Sequence, residues 1–319
     1  MKPRIHFAHL PTKIEALPRL SATLQGPRLL VKRDDQTGLA FGGNKTRKLE
    51  YLLAEARGQE ADLLITAGAV QSNHCRQTLA AASRFGFDCI LVLFGDPPEP
   101  PDGNHLLFYL LGAKIVFTDR ENVNNKLEEV NQKALNDGRK PYLIPYGGSN
   151  PTGAMGYVNA MLELAQQDPT PDWIVFPSSS GGTQAGMLVG GRISGYEGKI
   201  LGISVDEPAN ALKANVAKLA TDTAISIGKD WTFSSEDVLV NDDYTGEGYA
   251  IMGEPEIEAI RLFAQKEALL LDPVYTGRAA AGLIDLIRKG FFDTSETILF
   301  WHTGGGPTLF AGKYQVRLV

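Results

Sequence analysis

The chain has 319 residues, 43% hydrophobic and 21% charged, with a formal net charge of -6. Its length exceeds that of one compact core and predicts two packed domains of ordinary globular composition. The acidic balance argues against a nucleic-acid surface, although backbone amides can bind a small phosphate without net positive charge.

The opening MKPRIHFAHLP lacks the apolar run of a secretory signal, and no later stretch is apolar for long enough to cross a bilayer. The next notable stretch is GGNKTRK, residues 42 to 48, where Lys45 falls at a predicted helix start. The positive end of a helix dipole disfavours a cation there, and such local conflicts often mark function. The plainer reading makes Lys45 one solvated charge in the run Lys45, Arg47, Lys48. Beyond it, short apolar runs predict strands at 62–66, 89–94, 114–118, 141–144, 172–176, 199–205 and 296–303. Helical spacing lies between them, as with Val158, Met161, Leu162 and Ala165 after a Pro-Thr-Gly start. The fold class expected is α/β, with open, mostly parallel twisted sheets covered by helices. Glycine-rich loops at 42–44 and 146–153 suggest a smaller α/β domain, 47–155, inserted into a large one made of 1–46 and 156–319. The cluster DPPEPPDG, 96–103, reads as a surface loop. Cys75 and Cys89 fit neither a disulfide framework nor a thiolate metal site, and the five histidines lack zinc-like spacing. A cytoplasmic protein with no membrane, nucleic-acid or metal partner is expected.

Four loops are read as lying at the carboxyl ends of predicted strands, where open α/β sheets place ligands. In AGAVQSNH, 67–74, Ser72 would cap a helix carrying Cys75, Leu79, Ala82 and Phe85 on one face and ending at Gly86. Capping is the simpler account of Ser72 and Asn73 alone, but free amides there would also receive a carboxylate. In PSSSGGTQAGMLVG, 177–190, two glycines and Thr183 at a helix start make an anion cradle. A tight packing turn ranks second, and a dinucleotide site third. Asp206 lies at about the right distance for a ribose contact, but the G-x-G-x-x-G order is missing. LDPVYTGRAAAG, 271–282, brings Tyr275 and Thr276 to a helix start, with a core tyrosine as the competing reading. HTGGGPTLF, 302–310, sets Thr303 among glycines. Together the loops indicate a polar cofactor pocket, in which Lys45 could bond covalently to an aldehyde such as pyridoxal phosphate.

The segments GGNKTRKLE, AGAVQSNHCRQT, SSSGGTQAG, LDPVYTG and FWHTGGGP, in this order, make the chain resemble the pyridoxal phosphate enzymes of the tryptophan synthase β-like fold, fold type II. Within them it is similar to the branch of 1-aminocyclopropane-1-carboxylate deaminase and D-cysteine desulfhydrase, from KRDD at 32–35 through residue 305. The resemblance implies that Lys45 carries the cofactor, that Asn73 contacts its phenolic oxygen, and that Ser180, Gly181, Gly182 and Thr183 hold its phosphate. It further implies that Ser72, Asn73 and His74 receive the carboxylate of a small amino-acid substrate, that Tyr249 and Tyr275 are the two active-site tyrosines, and that the enzyme is a homodimer. Asp34 and Asp35 are read as structural, either solvated or capping. Ser-Gly-Gly-Thr departs slightly from the commoner Ser-Ala-Gly-Thr turn.

Cyclopropane deaminases carry a glutamate after the second tyrosine; this chain has Thr276, with Thr303 as another neutral hydroxyl available to the cofactor's ring nitrogen. Opening an unactivated ring needs the deepest electron sink, whereas losing a good leaving group from Cβ needs less, so β-elimination is expected. Lys45, displaced by substrate nitrogen and kept unprotonated by burial beside a cationic cofactor, which lowers its pKa, would remove the Cα proton, giving pyruvate, ammonia and, from D-cysteine, hydrogen sulfide. The alternatives are L-cysteate sulfo-lyase or another β-substituted alanine lyase, then cyclopropane deaminase, then a non-catalytic pyridoxal phosphate-binding protein.

Overall fold

The computed structural model describes residues 2–319. Its larger sheet runs in the order β1 (Ile14–Ala16), β2 (Arg28–Lys32), β10 (Thr297–Trp301), β7 (Trp173–Ser178), β8 (Lys199–Ser204), β9 (Leu239–Asn241). The smaller runs β5 (Lys114–Thr118), β4 (Asp88–Phe94), β3 (Leu63–Ala69), β6 (Pro141–Leu143). Every pairing is parallel except β1 with β2.

Side-chain alternation divides the large sheet between two cores. Leu29, Val31, Trp173, Val175, Ile298 and Phe300 enter one; Leu30, Ile174, Phe176, Leu299 and Trp301 enter the other. Because helices cover both faces, both sets are buried, and these strands read as unbroken apolar runs. The seven expected strands are all present, while β1, β2 and β9 were not anticipated; β1 and β9 are edge strands of three residues each.

The helices follow the expected faces with one shift. Ser72 caps Asn73–Phe85 by accepting from the Cys75 amide at 3.1 Å, and Gly86 ends it at φ 77°. In Pro151–Leu164, Val158 and Met161 are buried, but Leu164 takes the inward place expected of Ala165, which is exposed beyond the last turn. This helix lies so close to Gly182–Ser194 that a Cβ on Gly186 would stand 2.3 Å from the Ala154 carbonyl oxygen. The glycines after Gly182 therefore set helix packing, and the start of that helix is held where it is by the same contact.

One expectation and one competing reading fail here. The segment before LDPVYTG is not a strand: the chain leaves the helix Glu254–Glu267 and reaches Thr276–Arg288 through an unpaired stretch that buries Leu269 and Leu271. Nor is the Lys45–Lys48 run solvated, since Arg47 and Lys48 are each 1% exposed. The Arg47 guanidinium grips both oxygens of Asp34, at 2.9 and 2.8 Å, and Glu163 at 2.9 Å. Asp34 is structural, as read, but as a fully buried ion-pair member rather than a solvated or capping acid. Among the described residues, no helix is long and apolar enough to cross a membrane.

Candidate active site

The helix Asn44–Gly58 starts without a side-chain cap, from Gly43 at φ 124°. Its first amide, Asn44 N, donates to the Thr303 carbonyl at 2.9 Å, and a Cβ on Gly304 would lie 2.7 Å from Gly43 Cα. The two glycine loops thus touch backbone to backbone, which fixes the first turn of the helix against the end of β10. Lys45 lies on that turn and lines a cavity together with Ser72, Asn73, His74, Tyr146, Ser180, Gly181, Thr183, Tyr275 and Thr303. Its Nζ donates to Asn44 Oδ1 at 3.1 Å, and Asn44 Nδ2 donates to Thr183 Oγ1 at 3.3 Å, so one residue bridges the amine and the glycine turn. Burial lowers the Lys45 amine to about 8, against the opposing pull of the Asp272 charge.

Across the cavity, the helix Gly182–Ser194 also begins uncapped, from Gly181 at φ 81°, with no acid in its first turn. Only glycine adopts that conformation without strain. Ser149 Oγ accepts from Gly182 N at 3.2 Å and pairs with Ser180 Oγ at 2.8 Å, ordering the turn. An uncapped helix start lined by hydroxyls is a site for a dianion.

Another wall of the cavity is built by the start of the Asn73–Phe85 helix. His74 Nε2 pairs with Thr66 Oγ1 at 2.8 Å, while its buried Nδ1 has no protein partner. Burial, helped by the charges of Lys45 and Lys48, holds His74 well below its usual range, so the ring is neutral at physiological pH. The Asn73 side chain accepts from Asn104 Nδ2 at 2.8 Å, which fixes its orientation.

Tyr249 and Tyr275 meet hydroxyl to hydroxyl at 2.6 Å. Tyr275 lines the cavity; Tyr249 stands behind it. Burial raises both phenols well above their usual range, so they stay protonated. Thr276 is not brought to the cavity: its hydroxyl donates to Asp272 Oδ1 at 2.7 Å and accepts from Asp272 N at 2.8 Å. The expected hydroxyl available to a ring nitrogen is therefore spent inside the start of its own helix. Thr303 does line the cavity, and no carboxylate does.

An amine of depressed basicity facing a free anion site, with neutral hydroxyl and imidazole walls, fits pyridoxal phosphate. The chain matches the family described as pyridoxal-phosphate dependent enzyme over residues 5–304. The chain belongs to this family. A crystal structure of an ACC deaminase homologue is 37% identical, with a TM-score of 0.91, covering 99% of this chain and 95% of its own. Threonine deaminase isoform 2 from Solanum lycopersicum is 15% identical, TM-score 0.67, covering 96% and 82%. An L-serine ammonia-lyase from Rhizomucor miehei is 16% identical, TM-score 0.70, covering 98% and 100%. These last two share the fold, that of the fold type II pyridoxal phosphate enzymes.

Three residues in or beside this cavity escaped the sequence reading. Tyr146 lines the cavity, and its hydroxyl reaches Tyr249. It follows β6, so applying the strand-end rule to that strand would have found it. Lys48, three residues beyond Lys45 and thus on the same helix face, donates to the Gly147 carbonyl at 3.1 Å and to Ser149 Oγ at 3.4 Å, behind the glycine turn. Asn44 bridges the amine and the turn.

The depressed Lys45 basicity has a direct readout. Below about pH 8 the amine is protonated and cannot add to an aldehyde; above that it is neutral. Reconstitution of cofactor-free protein with pyridoxal phosphate is expected to accelerate about tenfold from pH 7 to 9 and then level off, followed by absorbance. A rate still climbing past pH 10 is the behaviour of an unperturbed lysine and would contradict this environment.

Proposed function

We propose that this pyridoxal phosphate enzyme catalyses β-elimination on a small β-substituted amino acid, with D-cysteine as first substrate, in a cleft between a small domain, 47–155, and a large one, 1–46 with 156–319. The observation that carries the reading is the cavity wall without a carboxylate. Bound pyridoxal phosphate supplies an electron sink for negative charge at the amino acid's Cα, and that sink is deepest when an acid protonates the ring nitrogen. Here the nearby Asp272 is occupied: Oδ1 accepts from Thr276 N and Oγ1, and Oδ2 from Val274 N and Tyr275 N. A moderate sink suits departure of a good leaving group better than opening of a cyclopropane.

In this proposal the uncapped start at Gly182 with Ser180 and Thr183 holds the phosphate, and Lys48 supports the Gly147–Ser149 loop behind it. Ser72, through its side chain, and the helix-start amides of Asn73 and His74 receive the substrate carboxylate, the Ser72 amide itself being held by the Ala69 carbonyl. Lys45, partly neutral at physiological pH, takes the Cα proton. Tyr275, its hydroxyl tied to Tyr249, delivers a proton to the departing sulfur. Hydrolysis of the remaining fragment yields pyruvate and ammonia.

A substrate panel tests the assignment. With D-cysteine, L-cysteine, L-cysteate and aminocyclopropane carboxylate, sulfide and pyruvate are expected from D-cysteine at the highest kcat/KM, with no 2-oxobutanoate from the cyclopropane. Thr276→Glu is expected to leave ring opening absent, because the new carboxylate would face Asp272 in the helix start rather than the cavity. Efficient 2-oxobutanoate release by either protein would sink the β-elimination reading; sulfite release from L-cysteate as the best reaction would move the substrate without moving the chemistry.

A further inference from the structure

Outside the cavity, and sharing Tyr146, Ser179 and Ser180 with it, lies a groove between the carboxyl ends of the two sheets. From the small sheet, Arg120 follows β5 and Phe94 ends β4; from the large sheet, Asp206 follows β8. The Arg120 guanidinium lies 5.8 Å from the Phe94 ring centroid and 5.3 Å from that of Tyr249. Its Nη2 is 3.7 Å from Asp206 Oδ2, an ion pair too long for a good hydrogen bond. The Asp206 side chain is only 8% exposed, and its Oδ1 has no hydrogen-bond partner among the described residues. A buried carboxylate with one long contact and one empty oxygen is costly as it stands and would gain from a closer approach of the guanidinium.

We propose that Arg120 is a positioning residue that reaches across the groove, pairs with Asp206 and covers Tyr249, so that drawing the two sheets together seats the tyrosine hydroxyls toward the cavity. Three features make Arg120 suited to this. It is 60% exposed and therefore free to move, whereas its partner is fixed. A guanidinium can stack on an aromatic face and bind a carboxylate at once, which an ammonium does less well. Its target, Tyr249, bonds the cavity tyrosine Tyr275 at 2.6 Å, so a shift of one is felt by the other. Burial is the main cause that raises the Tyr146 and Tyr275 phenols; the Asp206 charge adds to it at both, with Arg120 opposing at Tyr146.

The proposal rests on the β-elimination reading for its kinetic consequence but not for its structural one, and the experiment separates the two. In the holoenzyme, Arg120→Gln and Asp206→Asn are each expected to lower kcat for elimination about tenfold or more while KM stays within about threefold, the double variant adding little because the two side chains act as one unit. Arg120→Lys, which keeps charge but loses the planar stack, is expected to recover part of that loss. Deuterium exchange at Cα of alanine, which has no leaving group and needs Lys45 rather than the tyrosines, is expected to be unchanged. Backbone hydrogen exchange at 119–124 and 244–251 is expected to quicken in both single variants. Exchange unchanged in those segments, a change confined to KM, or alanine exchange falling in step with kcat would overturn the proposal. Should the wild-type enzyme eliminate none of the panel, the assigned reaction fails and the hydrogen-exchange result alone decides for or against the latch.

Discussion

Lys45→Ala is expected to abolish elimination, with kcat down by at least about 10⁴-fold, because one side chain both holds the cofactor covalently and moves the Cα proton. The variant is also expected to keep its fold. Among the described residues the only hydrogen bond of Lys45 Nζ is to Asn44 Oδ1, at 3.1 Å, and burial of the amine is itself unfavourable, as its lowered basicity records. Truncation removes that unfavourable term, so the melting temperature of the cofactor-free variant should match or exceed that of cofactor-free wild type. Activity lost together with a lower melting temperature would assign Lys45 a structural role instead. Lys48→Ala provides the contrast: it should weaken cofactor binding, since Lys48 braces the Gly147–Ser149 loop, but leave covalent attachment possible.

The largest stability effect is expected two residues further on. Arg47 satisfies Asp34, Glu163 and Thr12 through five contacts of 2.8 to 3.0 Å, in a site where Asp34 is fully buried. Burial alone would push the Asp34 carboxyl up, but the Arg47 guanidinium, aided by the Tyr157 hydroxyl and Lys32, overrides it and holds the group below the ordinary carboxylate range. Removing the guanidinium leaves a buried carboxylate with hydrogen bonds from Tyr157 and Thr12, at 2.6 and 2.9 Å, and the Lys32 charge nearby, but no direct ion pair among the described residues. Loss of one partner of such a pair costs about 3–5 kcal/mol. Arg47→Ala should therefore lower the urea midpoint strongly, whereas a loss below about 1 kcal/mol would show that the network contributes little. The sign of the pH effect follows from the depressed carboxyl. Its contribution is present above the unfolded carboxylate range and is lost as pH falls through the folded value, so wild type should lose stability on acidification more steeply than Arg47→Ala.

Much of the fold was legible because its strands are buried on both faces and show as unbroken apolar runs; β7, with all six residues buried, is the clearest case. Edge strands such as β1 and β9 carry no such signal. At the site, Lys45 stood out because a cation at a helix start breaks a local rule, and the Gly181–Gly182 turn because two glycines and Thr183 at a helix start form an anion cradle. What stayed hidden depends on distance in the chain. Asp34, Arg47 and Glu163 are individually unremarkable charges until folding joins residues 116 apart. Thr276 looked available to the cofactor because sequence does not show that Asp272, four residues earlier, takes its hydroxyl. Arg120 carries no signal in the sequence and Asp206 suggested only a ribose contact; the apposition of the two sheet ends brings them together.

Borohydride reduction of the purified holoenzyme, followed by peptide mass mapping, tests the central claim most directly. The expected result is a single reduced cofactor adduct on the peptide carrying Lys45, which lines the cavity, with Lys48, whose amine is held behind the glycine turn by Gly147 and Ser149, unmodified. An adduct on Lys48 or on any other lysine, or none in protein that retains bound pyridoxal phosphate, would contradict the account.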